Sequence, residues 1–155
     1  MFVGESTHTL DPKHRVFVPK RFQDELPRDE AGHRNAVLSR GFEGCLILYS
    51  EEGFREASAK LRTHNFVGAE QRKMQRMFFS NAHKCQLDSS GRLVLPERLR
   101  TLAGLKKEVT FVGVFERAEI WDKDAWAKFQ DENDGDFDQL DGVLHTEGGA
   151  GGSGA

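Results

Sequence analysis

Lys13, His14 and Arg15 stand together directly after Asp11 and Pro12, and their side chains suit recognition of anionic groups. Arginine presents a planar fork of donors that matches a phosphate or the O6/N7 edge of guanine. Lysine adds a compact charge suited to the sugar–phosphate backbone. Arg92 stands to Asp88 as Arg15 stands to Asp11. Lys20 and Arg21, a little further on, are additional candidates for phosphate contact. A plainer role competes: each arginine pairs with the aspartate four positions before it and closes a turn. Taken residue by residue, the types and spacing serve both roles equally.

Other chemistries find less support. His83 and Cys85 are two apart, but no further pair stands at metal-ligand spacing. No glycine-rich phosphate loop opens a helix. Asp11 and Asp88 could form a carboxylate pair in which each shifts the pKa of the other. Both are followed at once by turn residues, however, which explains them as turn formers. The chain is therefore expected not to be an enzyme, and to carry no metal, cofactor or small-molecule ligand.

The elements that must position these cations come in two copies. Leu10-Asp11-Pro12-Lys13-His14-Arg15-Val16-Phe17-Val18-Pro19 is matched 77 positions later by Leu87-Asp88-Ser89-Ser90-Gly91-Arg92-Leu93-Val94-Leu95-Pro96. Phe42-Glu43 and Phe115-Glu116 match at an offset of 73, and Tyr49 and Phe54 meet Trp121 and Trp126 at 72. Two copies indicate duplication of one small unit, not a solenoid. In each copy the aspartate and the turn-prone residues after it give a tight turn between extended arms. Gly91 adopts a positive φ freely, whereas His14 does so only under strain. The apolar triplets 16–18 and 93–95 read as short buried strands. Pro19 and Pro96 then read as the first residues of short helices.

Between the copies, Ser50 is placed to cap a helix with Glu51 and Glu52 in its first turn. His64 and Asn65 break that helix. A second runs from about Gly68 to Phe79, with Val67, Met74, Met77 and Phe78 on one face and Arg72, Lys73 and Arg76 on another. The expected organisation is a first module at 5–50, a helical connector at 51–80 and a second module at 81–127. Residues 128–155 read as an acidic, glycine-rich tail that is disordered, because its lone apolar residues cannot bury a core. Modules this small are marginal alone and should share a core or lean on neighbouring subunits.

With these residues assembled, the sequence resembles the MraZ family, whose members carry two AbrB-like, swapped-hairpin modules. The likeness lies in the two Asp-x-x-x-Arg turns, each followed by apolar residues and proline. It extends to the opening Met1-Phe2-Val3-Gly4 and the run from Phe115 to Trp121, and it covers residues 1 to about 127. It implies an α+β fold: a β-rich swapped-hairpin barrel of two tandem modules with a helical pair between them. It further implies a bacterial, sequence-specific DNA-binding transcriptional regulator that forms ring-like homo-oligomers on repeated promoter elements. Such a protein represses its own division and cell-wall gene cluster.

On that footing Lys13, His14, Arg15, Lys20, Arg21 and Arg92 are expected to contact double-stranded promoter DNA, with Arg15 and Lys13 leading. His14 replaces the usual turn glycine of the family, and Ser90 its lysine, so Arg92 is expected to contribute less. The rival expectation is an oligomeric assembly or protein-binding module that never touches DNA. A steep loss of affinity with salt, dependent on Lys13 and Arg15, separates the two.

Charge is unevenly distributed. The net −3 combines −7 on residues 122–155 with +4 on residues 1–121, giving a mildly basic body and a strongly acidic tail. Met1 opens into strand-like sequence without a secretory leader. The longest apolar run, Cys45 to Tyr49, is too short to span a bilayer. A cytoplasmic, nucleoid-associated protein with no membrane partner is expected, with Cys45 and Cys85 as free thiols.

Overall fold

Repeat equivalence organises every strand of the molecule. The computed structural model describes residues 1–62 and 68–145; the expected helix break at His64 and Asn65, Val67 of the expected apolar face, and the Gly/Ser/Ala terminus lie outside them. The chain runs β1 (Glu5–Thr9), β2 (Arg15–Phe17), α1 (Lys20–Gln23), β3 (Asn35–Arg40) and β4 (Leu46–Tyr49). The connector follows as α2 (Glu51–Ala57), α3 (Ala59–Arg62) and α4 (Ala69–Ser80). Then come β5 (Ala82–Gln86), β6 (Arg92–Val94), α5 (Glu97–Leu102), β7 (Glu108–Val114) and β8 (Arg117–Asp122).

Six strands form one antiparallel sheet in the order β1-β7-β8-β4-β3-β5, while β2 and β6 pair as a separate ribbon. That order reads the same under exchange of the repeats, because β1, β3 and β4 correspond to β5, β7 and β8. The first strand of each module thus pairs with the other module: Glu5–Thr9 against Val112–Glu108, and Ala82–Gln86 against Ser39–Asn35. At the centre β4 meets β8 with Ile47 opposite Glu119, the register about which the two halves are related. This is the expected swapped-hairpin fold of two tandem modules, and its main core is shared between them.

One hydrophobic cluster draws equivalent residues from both copies. Val16, Val18, Phe22 and Leu26 are buried beside their counterparts Leu93, Leu95, Leu99 and Ala103. Full burial of each large apolar side chain contributes about 1.5–3 kcal/mol, so removing one copy would strip the other of its packing. Phe22 meets Phe2 and Phe111 edge-on, at ring separations of 5.3 and 6.3 Å.

Two local expectations are corrected. The triplets 16–18 and 93–95 are not buried throughout: Phe17 and Val94, their middle residues, are 40% and 56% exposed. A two-stranded ribbon covers the core with one face only, so its side chains alternate. Pro19 and Pro96 are N-caps, not first helical residues, with extended ψ of 137° and 143°. The Pro19 carbonyl already accepts the N–H groups of Phe22 and Gln23, which starts the helix one residue later.

Ser50 caps α2 as expected, accepting the Gly53 N–H at 3.0 Å. The apolar face read on α4 is only partly used. Phe78 stacks on Phe54 at 5.7 Å, while Met74 and Met77 are 54% and 56% exposed. Cys45 and Cys85 are free thiols, each pushed up to about 12 by burial. Among the described residues, no helix is long and apolar enough to cross a membrane.

Residues from Asp124 onward form a second unit. It contains most of α6 (Lys123–Asn133), a 3₁₀ segment (Asp134–Gln139) and α7 (Leu140–His145). The expectation of a disordered tail from 128 is therefore corrected as far as His145. Helical pairs such as Lys128–Glu132 and Asp141–His145 support the segment locally. Its 3₁₀ segment and α7 bury no side chain, as the composition requires.

Candidate nucleic-acid interface

One aspartate builds each cationic turn. Asp11 Oδ1 accepts the backbone N–H groups of Lys13 at 2.8 Å and Arg15 at 2.9 Å, and Oδ2 accepts Arg15 Nε–H at 2.7 Å. The His14 N–H closes the turn on the Asp11 carbonyl at 2.9 Å. The second copy repeats every bond. Ser90 and Arg92 donate their N–H groups to Asp88 Oδ1, Arg92 Nε–H to Oδ2, and Gly91 N–H to the Asp88 carbonyl. The plainer role of the arginines, closing a turn with the preceding aspartate, is thus realised in both copies.

The fourth turn residue is left-handed in each, at φ +61° for His14 and +78° for Gly91. For a residue bearing a Cβ this costs on the order of 1 kcal/mol, a strain His14 carries and Gly91 avoids. A Cβ at Gly91 would also run into the side-chain amide of Gln23, which would have to shift from its place behind the ribbon.

Bonds of long sequence separation, for which no local pattern exists, lock the two turns side by side. Val18 N–H donates to the Gly91 carbonyl and Leu95 N–H to the His14 carbonyl, each at 3.0 Å. Between them β2 and β6 pair with Arg15 opposite Val94 and Phe17 opposite Arg92. Behind the ribbon, buried Gln23 donates to the Val18 carbonyl at 2.8 Å, and its counterpart Arg100 donates to the Leu95 carbonyl at 3.0 Å. Arg92 Nη1 lies 3.9 Å from Asp11 Oδ2, so Asp11, Arg15, Asp88 and Arg92 form one ionic cluster.

Electrostatics follow from these bonds. The Arg15 N–H, aided by the Arg15 guanidinium and the Lys13 N–H, holds the Asp11 carboxyl below its ordinary value against the opposing effect of burial. At Asp88 burial is the largest influence and pushes upward, but the bonds from Arg92 and Ser90 together outweigh it, and the net shift is down. Both carboxylates are therefore held ionised beside their arginines.

The expected site residues fall into four groups. Lys13 and His14 are exposed at the first turn tip, and the Lys13 ammonium meets no carboxylate among the described residues. Arg15 and Arg92 are half-buried, anchored through Nε; the Nη groups of Arg15 make no hydrogen bond among the described residues. Lys20 is exposed and pairs with Asp24 at 3.2 Å. Arg21 departs from expectation. Its Nε and Nη2 donate to the carbonyls of Val3 and Glu5 at 3.2 and 3.0 Å, and its guanidinium lies 5.1 Å from the Phe22 ring centre. Two of its three nitrogens bond main chain and fasten the N-terminal segment to α1. His83 and Cys85 both lie on β5, and among the described residues no group of three or more His, Cys, Asp or Glu could hold a metal ion.

Comparison with known proteins agrees with this geometry. The family model described as "MraZ protein, putative antitoxin-like" matches residues 1–77 and again 78–142, one match for each copy of the turn. The chain is 40% identical over 140 residues to the transcriptional regulator MraZ of Moorella thermoacetica, covering 90% of this chain and 94% of that one. It is 41% identical over 139 residues to the protein of that name from Cytophaga hutchinsonii, covering 90% and 91%. A third, from Heliobacterium modesticaldum, is 39% identical over 132 residues, covering 85% and 88%. These names are those of a regulator, not of an enzyme. With two family matches spanning nearly the whole described chain and a swapped-hairpin fold to hold them, the chain belongs to the MraZ family.

Proposed function

We propose that this chain is a transcriptional regulator that binds double-stranded promoter DNA sequence-specifically, as a homo-oligomer on repeated elements. It represses its own division and cell-wall gene cluster, in the cytoplasm and at the nucleoid. The names of its relatives support the regulatory role. The observation that carries the DNA contact is the set of cations displayed at the first turn. Lys13, His14 and Arg15 sit at the tip of a cross-bonded ribbon, and Asp11 holds the Arg15 guanidinium through Nε alone.

Arg15 is thereby oriented before any ligand arrives, which lowers the ordering cost of binding. A partly exposed ion pair contributes little to stability, so DNA can compete with it. Lys13 and Lys20 then set the register on phosphates while the Arg15 fork reads a guanine edge. Arg92 contributes less, because Ser90 stands where the first turn has Lys13.

The test is titration of DNA upstream of the protein's own gene with wild type, Arg15→Ala and Arg92→Ala at fixed salt. One bidentate arginine–guanine contact is worth roughly 1–3 kcal/mol of discrimination, and linked subunits multiply its loss. Arg15→Ala should lose specific binding almost entirely while retaining its circular dichroism and oligomer mass. Arg92→Ala should lose less. Equal affinity for wild type and Arg15→Ala would overturn the proposal and favour an assembly module that does not bind DNA.

A further inference from the structure

We infer that the acidic segment 134–145 of one copy seats its apolar face in the groove between the β3–β4 hairpin and α4 of a second copy. The inference rests on the homo-oligomer of the proposed function and assigns its two contacting faces. The groove is a cavity of about 560 Å³ lined by Phe42, Leu61, Met74, Met77, Phe78 and Leu102, with Arg40 at its rim. Phe42 is 71% exposed at its mouth. Apolar side chains clustered in the open mark an interaction surface, and methionines repack readily against a guest.

The guest is an amphipathic face that is itself uncovered. Phe137, Leu140, Val143 and Leu144 recur at spacings of three and four and are all exposed. The volume of the groove is in the range that holds several such side chains.

Charge selects this pairing over others. The segment 134–145 carries Asp134, Asp136, Asp138 and Asp141, and neither lysine nor arginine, with Asp131 and Glu132 just before it. The groove lining itself holds Arg40 and Glu43, while the neighbouring face of α4 carries Arg72, Lys73 and Arg76 against Glu70, so basic charge prevails around the groove and not within it. Two grooves set face to face would oppose like charge, and phosphate would repel the acidic segment. Groove and segment are different surfaces, so the contact is heterologous, and its repetition closes a ring when the rotation permits.

The test compares the full-length chain with Met77→Asp and with the double variant Leu140→Asp/Leu144→Asp, by sedimentation and by circular dichroism. All three altered side chains are exposed, so the fold should persist. Wild type should be a several-subunit assembly, and both variants should shift to smaller species at equal concentration. In addition, a Met77→Cys chain mixed with a Leu140→Cys chain should yield a disulfide-linked heterodimer under mild oxidation. Unchanged mass in both variants beside an oligomeric wild type overturns the docking and leaves the homo-oligomer standing. A monomeric wild type overturns both. A cross-link that forms only when one chain carries both cysteines assigns the groove to the chain's own segment and overturns the inference.

Discussion

At the scale of single residues, an aspartate does most of the organising. Asp11 terminates three hydrogen bonds through its carboxylate and a fourth through its carbonyl, which makes the turn and aims Arg15 together. A carboxyl whose folded pKa lies below its unfolded value stabilises the fold above the unfolded value, about 3.9. That stability is lost as pH falls through the folded value. Wild type should therefore exceed Asp11→Asn in stability at neutral pH, and the gap should narrow steadily as pH drops below about 4. Urea denaturation over a pH series measures this, and a gap independent of pH would show that the ionised form is not what closes the turn. Asp11 and its arginine were legible from type and spacing. That Arg21 serves the N-terminal segment was not, because its partners, the carbonyls of Val3 and Glu5, are main-chain atoms that leave no mark in a sequence.

At the scale of elements, β1 is held to the second module by its own ladder and by the segment before it. Phe2 and Phe115 exchange both backbone hydrogen bonds at 2.8 Å, and the Gly113 N–H donates to the Gly4 carbonyl at 2.8 Å. The main chain of Val3 lies so close to Gly113 that a Cβ there would collide with it. Gly113→Ala should force the segment away and cost about 1–3 kcal/mol, as overpacking does. Thermal denaturation gives the loss, and faster hydrogen exchange at the Phe2 and Phe115 amides locates it. Unchanged exchange would mean that the segment repacks without strain. In the sequence Gly113 is an ordinary small residue inside a strand; only the approach of another main chain makes it necessary.

At the scale of the molecule, the exchange of first strands makes the duplication a single cooperative body. Residues 1–80 lack the partner of β1, and residues 81–155 lack the partner of β5. Each would expose strand edges and half of a shared core, and chains this small bury too little surface to compensate. Either fragment alone should show little structure by circular dichroism, and an equimolar mixture should recover the strand signal. A folded 1–80 fragment would mean that the modules are independent after all.

The sequence by itself determined the duplication, the two turns, their cationic residues and the helical connector, because each depends on residues close together in the chain. Steric preference, hydrogen bonding to an aspartate and apolar spacing act over a few residues and are written in them. Only the tertiary structure decided that the first strands cross between modules, that the two turns share one ionic cluster, and that Arg21 is tied to main chain while Arg15 keeps its fork. It also decided that Met74 and Met77 stay uncovered. Those outcomes turn on contacts 16 to 107 residues apart, where backbone hydrogen bonding and shared burial choose among partners that local sequence describes alike.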